Sequence, residues 1–375
     1  MRLLPDQDEC DLAEALRGLL AAECPTTVAR RLTDPTASLP PTLWKALAAA
    51  GVLGLAVSEE YGGSGGGLSD LGVFCIEAGR ALCPTVVHST VQAWLAIQAL
   101  GSPEQCAAWL PELCDGTRTA TTSLWHPGDA GRIDPTLRAR PGSDGGWRLD
   151  GTAEFVADAG VADHLVVSAA DAETGRTVAF VAPLRAPGVR AEALSVMGGH
   201  RAFRVHFADA VIAEDLAVLG EVDDDVLRRL ANTAVALFSL DLVGVGEAAL
   251  ARTVDYTKMR HQFGRPIASF QAAQHLVANM HIALASARLV ARSAVFWLGR
   301  GHTATRQTAI ARMHAATAAK LITLDAHQLH GGMGFVVDTD LHLFSERARV
   351  LSTMGGGADV AATWLEEDAT WPTTV

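Results

Sequence analysis

Arg260, Gln262 and Gln271 lie close together in one short stretch of this 375-residue chain. Arginine offers a planar fork of donors that suits phosphate oxygens, and the two glutamines add neutral donors and acceptors. A second stretch, Gln328 to Phe335, carries glycines at 331, 332 and 334, which remove Cβ atoms where a backbone must approach a ligand. Together they point to a grip on a phosphorylated cofactor. Taken singly, each has a plainer reading, an arginine helix cap and a glycine helix terminator.

Acid–base chemistry has fewer candidates. Asp241 and Glu247 interrupt the longest apolar stretch, around Leu230 to Leu250. Such charges are costly in a bilayer centre, so the stretch reads as a core helix and no membrane association is expected. A buried helical glutamate can have a raised pKa and act as a base, although it is more often paired or turned to solvent. Asp359 fits a helix start better than a base. His327 and His330 lie three apart and His275 and His281 six apart, without a ligand-spaced carboxylate or cysteine, so no metal is expected. Six cysteines, Cys10, Cys24, Cys75, Cys83, Cys106 and Cys114, lack a CxxC pair and read as free core thiols. With 30 basic and 42 acidic residues the net charge is −12, which argues against nucleic acid as a partner.

Helical spacing fills the first part of the chain: Leu12, Ala15, Leu16, Leu19 and Leu20, then Leu43, Leu47 and Ala50. The glycine-dense turn Glu59 to Gly67 has no GxxxxGKS or GxxxxGKT context and is not read as a nucleotide loop. Between about Gly116 and Val222, short runs around 147–149, 164–167, 178–181 and 203–207 read as strands. Long helices return over 226–256, 269–299, 305–330 and 341–351, with loops at 260–266 and 331–335. The fold class is therefore α+β, in three parts: a helical domain at 1–116, a β domain at 117–222 and a helical domain at 223–375. The opening Met1-Arg2-Leu3-Leu4-Pro5-Asp6 lacks the pattern of a secretory signal, so a cytoplasmic location is expected.

With these parts in order, the loops carry a resemblance. Tyr256 to Ile267 with Phe270-Gln271 resembles the YxxxRxQFGxPIxxFQ signature of acyl-CoA dehydrogenases, and Gln328 to Phe335 resembles their QxxGGxGF signature. Glu59-Glu60-Tyr61-Gly62-Gly63, Met197-Gly198-Gly199 and Val205 to Asp209 fall where that family places similar residues, so the likeness spans essentially the whole chain. It implies an N-terminal helical domain, a middle β-barrel-like domain and a C-terminal four-helix bundle. It also implies an FAD whose adenosine diphosphate half is held across a subunit boundary by Arg260, Gln262, Phe263, Gln271, Gln328, Gly331 and Gly332. The same resemblance lets His330 touch the flavin. An oligomer follows, with a tetramer expected.

Other family positions are changed. The TEPxAGSD-like segment aligns with Ser123 to Arg132, and the GxKxWIT-like segment with Gly151 to Ala157, placing Phe155 where the ring-stacking tryptophan would be and Ala157 at the hydroxyl position. Trp125 and His126 could fill space normally given to the ring. The family's catalytic glutamate falls at Gly355, and its alternative location at Ala231-Asn232-Thr233-Ala234 holds no carboxylate. The resemblance thus implies a subunit of a hetero-oligomeric acyl-CoA dehydrogenase, like those acting on steroid side-chain thioesters. A second such subunit would bring the base and the ring site, with an electron-transferring flavoprotein as acceptor. Two alternatives remain open: a homo-oligomeric acyl-CoA or acyl-carrier-protein dehydrogenase with Glu247 as a relocated base, and a scaffold subunit without flavin chemistry.

Overall fold

A computed structural model describes residues 4–34, 37, 39–142, 146–212 and 217–367. The first helices are α1 (Gln7–Glu23), α2 (Thr26–Leu32), α3 (Pro41–Ala49), α4 (Leu68–Ala81), α5 (Thr85–Leu100) and α6 (Pro103–Cys114). Strands β1 (Ala120–Ser123), β2 (Leu137–Pro141), β3 (Trp147–Ala157), β4 (His164–Asp171), β5 (Thr177–Pro183), β6 (Val189–Leu194), β7 (Ala202–Ile212) and β8 (Val218–Glu221) follow. The chain then forms α7 (Asp224–Met259), the short strands β9 (His261–Gln262) and β10 (Arg265–Pro266), and α8 (Gln271–Leu298), α9 (Thr305–His330), α10 (Leu341–Leu351) and α11 (Ala358–Glu367). This is the helix, sheet, helix succession expected of the α+β class. Packing interleaves the sequence: one compact unit combines Met1–Thr33, Leu68–Cys83 and Val235–Val375, and the other combines Asp34–Gly67 with Pro84–Ala234.

In the first unit α1 starts at a capping box, where the Asp6 side chain accepts from the Glu9 backbone N–H and the Glu9 carboxylate accepts from that of Asp6. Leu16 and Leu20, one turn apart, are the buried side of this helix. α4 and α7 approach closely at a pair of glycines. A Cβ on Gly244 would collide with the Ile76 carbonyl oxygen, and one on Gly79 with that of Asp241. α8 packs on α9, and Ala287, Ala291 and Ala294 of the one and Ala311, Ala315 and Ala319 of the other are buried. α7 is long and apolar enough to cross a membrane, but 83% of its most apolar window is buried within the protein, as a core helix requires. Its Asp241, with no exposed surface, accepts from the Arg347 guanidinium at 2.7 Å, so the charge within the apolar run is paired.

The second unit holds an eight-stranded mixed sheet in the order β6-β7-β3-β2-β4-β5-β8, with β1 parallel to β4 beside this path. β2 also runs parallel to β4, whereas the other neighbours are antiparallel. β4 and β5 are buried along nearly their whole length, so their apolar residues form continuous runs instead of alternating. β3 departs from regular pairing with β7 between Ala153 and Val156. Cys24, Cys75, Cys83, Cys106 and Cys114 are buried free thiols, but Cys10 is exposed. That corrects the core expectation for Cys10, which sits on the solvent side of α1, away from Leu16 and Leu20.

Candidate functional site

Arg260 follows the last turn of α7, and its N–H donates to the Tyr256 carbonyl at 2.8 Å. The chain then reverses through a two-residue hairpin in which Gln262 pairs with Arg265 and His261 with Pro266. Both turn residues, Phe263 (φ 52) and Gly264 (φ 78), are left-handed, as this hairpin type requires. Glycine accommodates that backbone freely; phenylalanine does so at a cost of about 1 kcal/mol. Phe263 nevertheless occupies it with 94% of its surface exposed. The loop closes where the Ile267 N–H donates to the Arg260 carbonyl at 2.9 Å. Arg265 stacks over Phe270, 4.1 Å from its ring centre, while the Arg260 guanidinium has no side-chain partner among the described residues.

The second loop begins where α9 ends on Gly331, whose φ of 58° is left-handed. Cβ atoms built on Gly331 or Gly332 would meet nothing within 4 Å, so both glycines border open space. Gly334 is different: a Cβ there would press on the His327 carbonyl oxygen at 3.0 Å. The two loops enclose a cleft of about 700 Å³. Arg260, Gln262, Phe263, Gln328, Gly331 and Gly332 all line it. Gln271, the first residue of α8, is not among its lining residues.

Tyr256 and His330, one from each helix, stack in the cleft wall with ring centres 4.3 Å apart and planes 18° from parallel. The His330 Nδ1 lies 2.8 Å from the Ala326 carbonyl oxygen, an arrangement that places the proton on Nδ1 and leaves Nε2 as an acceptor. Burial, reinforced by the Arg252 charge and only partly opposed by that hydrogen bond, lowers the His330 pKa from its ordinary value, so the ring is neutral at pH 7. The wall therefore offers flat, uncharged ring surface, and Arg260 supplies the cation. Nothing in the sequence pairs Tyr256 with His330; the signal it offers is a ring residue one turn before Arg260 and another directly before Gly331.

The carboxylates have other occupations. Glu247 is buried and forms ion pairs with both Arg80 and Arg288. Each of its carboxylate oxygens faces a guanidinium, an arrangement that suits a structural ion-pair network. Asp359 lies in the first turn of α11. At the alternative base location, Ala231, Asn232, Thr233 and Ala234 are all buried in α7. Gly355 and Gly356 have φ of 72° and 111°, in a turn held by Arg312. That side chain has no exposed surface and donates to the carbonyl oxygens of Gly356, at 2.7 Å, and Met354. With no carboxylate beside it, burial brings the Arg312 pKa down to about 9. An arginine set among the alanines in the middle of α9 was the signal in the sequence for this clamp. Among the described residues no group of three or more histidines, cysteines or carboxylates could hold a metal ion.

In the second unit Phe155 sits at the irregular step of β3 with φ 51° and 54% of its surface exposed. A bulge is a recognised way to aim such a side chain away from the ladder. The Ala157 carbonyl accepts from the Thr121 hydroxyl at 2.7 Å. Residues 126–132 form a tight turn: the Asp129 N–H donates to the His126 carbonyl, and the Arg132 N–H to that of Asp129. The Gly128 N–H donates to the His126 ring at 3.2 Å.

Residues 225–368 match the family described as acyl-CoA dehydrogenase, C-terminal domain, and residues 6–117 match acyl-CoA dehydrogenase, N-terminal domain. Acyl-CoA dehydrogenase FadE12 of Mycobacterium tuberculosis is 30% identical over 325 residues, 82% of either chain. Acyl-CoA dehydrogenase IpdE2 of Mycolicibacterium smegmatis is 27% identical over 338 residues, 90% of this chain and 91% of the relative. Among solved structures, the ChsE4–ChsE5 complex from Mycobacterium tuberculosis superposes with a TM-score of 0.89 at 27% identity, covering 100% of both chains. A variant of the Tcur3481–Tcur3483 steroid ACAD gives 0.85 at 29% identity, covering 97% of this chain and 99% of the other.

Proposed function

The chain belongs to the acyl-CoA dehydrogenase family, and from that premise we propose that it is the subunit of a hetero-oligomeric enzyme that donates the half-site for the nucleotide tail of a neighbour's FAD. The observation that carries this reading is the Arg260 guanidinium, without a side-chain partner among the described residues, at a cleft bordered by glycines with open space beside them. A diphosphate fits this set: Arg260 would provide charged donors, Gln262 and Gln328 neutral ones, and the backbone at Gly331 and Gly332 admits close approach. Gln271 belongs to the same proposal through its place at the start of α8, as does His330 through its neutral ring. FAD, when bound, supplies the hydride acceptor for dehydrogenation of a thioester. Phe263, so fully exposed on a single chain, gains a covering surface if a second subunit lies over the cleft.

The missing carboxylate at 355 and the alanine at 157 support assigning proton abstraction and the flavin ring to the partner, a second acyl-CoA dehydrogenase-like chain. The substrate class is an acyl-CoA thioester, with steroid side-chain thioesters favoured by the company of the steroid ACAD variant and the two-chain ChsE4–ChsE5 complex. An electron-transferring flavoprotein as acceptor, a tetrameric assembly and a cytoplasmic location complete the proposal.

Flavin absorbance and turnover test it. The purified chain alone should hold little FAD and show no dehydrogenation, and the co-expressed pair should be yellow at one FAD per two chains. In that pair, Arg260→Gln should weaken FAD retention by roughly tenfold to a hundredfold, the loss of a charge-assisted hydrogen bond worth about 1.5–3 kcal/mol. Full flavin occupancy with turnover by the lone chain would overturn the proposal.

A further inference from the structure

Glycine lets a backbone approach a ligand, but it loses more conformational freedom on ordering than any other residue. The loop 331–335 contains glycines at 331, 332 and 334, and its two larger side chains, Met333 and Phe335, are 43% and 79% exposed. Little within the loop fixes it. An anchor for Gly331 and Gly332 at the cleft has to reach them from a neighbouring element, and His327 does so from the last turn of α9, one residue ahead of the second signature.

The contacts of His327 with the loop are threefold. Its carbonyl accepts from the Gly331 N–H that ends the helix. Its ring packs on that of Phe335, with centres 5.1 Å apart and planes tilted by 34°. Gly334 lies against its backbone and ring: a Cβ there would stand 3.0 Å from the His327 carbonyl oxygen and 3.1 Å from Nδ1. The other edge of the ring turns to α10, where Nε2 lies 2.6 Å from the Ser345 Oγ. The Ser345 hydroxyl itself donates to the Leu341 carbonyl at 3.3 Å. Its oxygen is thus left to accept, and the neutral ring carries its proton on Nε2. Burial, joined by the charges of His330 on α9 and of His342 and Arg349 on α10, lowers the His327 pKa against the pull of the Gly334 backbone, so this neutral form prevails at pH 7.

We propose that His327 is a positioning residue for the nucleotide cleft, a latch that ties the glycine loop to α10 through Ser345 and sets the Gly331 and Gly332 backbone in place before a ligand arrives. The identity of that ligand, the diphosphate half of FAD, rests on the half-site reading above; the latch is a property of the single chain. Ordering the loop in advance spares the bound nucleotide that entropic cost, so loss of the tie appears as weaker binding.

Two measurements test it. Deuterium exchange of the 329–337 peptide in the lone chain reads the latch without nucleotide, and the FAD dissociation constant of the co-expressed pair reads its consequence. His327→Leu keeps bulk and removes the donor, Ser345→Ala removes the acceptor, and His327→Gln returns an N–H at the reach of Nε2. In the first two, exchange should quicken and FAD affinity fall, each by about threefold to tenfold, as expected for one lost hydrogen bond. His327→Gln should give parent values, and combining His327→Leu with Ser345→Ala should cost no more than either alone. Should His327→Leu fail to fold, Ser345→Ala carries the same test. Unchanged exchange would overturn the latch, and faster exchange with unchanged FAD affinity would overturn its role at the cleft. A parent pair that holds no flavin would sink the half-site reading instead, with the exchange measurement still deciding the latch.

Discussion

A guanidinium at a helix end can cap carbonyls, close an ion pair or await a ligand, and the distinction rests on what lies around it. Arg260 has no side-chain partner among the described residues and borders a cleft, whereas Arg80 and Arg288 are both engaged by Glu247. That engagement favours a structural carboxylate over a base. Glu247→Gln should lower stability by about 1–3 kcal/mol, a buried charge pair discounted for arginines that are partly exposed. Flavin binding and turnover of the assembled enzyme, assayed below the melting transition, should stay near the parent values. Loss of turnover with flavin and fold retained would instead restore Glu247 as a base. Residue types were legible here, but partners were not: nothing in the order of letters ties position 80 or 288 to position 247.

Helices α4 and α7 meet where Gly79 and Gly244 let each backbone approach the other, and any Cβ would strike a carbonyl oxygen. Neither oxygen is the end of a flexible side chain, so the helices themselves must part. Gly244→Ala should therefore destabilise by about 1–3 kcal/mol through overpacking, although alanine is intrinsically the better helix former by about 1 kcal/mol. Chemical denaturation gives the sign directly, and a stabilised variant would disprove the close crossing. The longer helices were readable because their apolar spacing persists over many turns. Strands around 147–149, 164–167, 178–181 and 203–207 were also readable, falling in β3, β4, β5 and β7. β6 escaped notice because its middle residues are exposed, leaving no buried face to mark its period, and β9 and β10 are two residues each.

At the scale of the whole molecule, contacts join stretches far apart in the chain. Asp340, before α10, accepts from the Thr26 hydroxyl at 2.7 Å and the Arg30 Nε at 3.2 Å. Burial acts to raise its pKa, but those hydrogen bonds and the charges of Arg30 and Arg252 prevail, holding it below the ordinary aspartate value. A depressed carboxylate contributes stability above its unfolded pKa of about 3.9, and that contribution is lost as pH falls through the lower folded value. Asp340→Asn should accordingly lower the melting temperature at pH 7 and make little difference near pH 2. An equal deficit at both pH values would show that the charge is not what ties α2 to α10.

The order of elements, the two signature loops and the absence of carboxylates at 355 and 231–234 are properties of the sequence itself, because local periodicity and residue identity are carried by neighbouring letters. Tertiary structure alone decided that Glu247 is clamped between arginines, that Tyr256 stacks on His330, and that Arg312 holds the turn at Gly355. Each of these depends on bringing together groups separated by many residues, at distances of a few ångströms over which ion pairs, ring contacts and hydrogen bonds act.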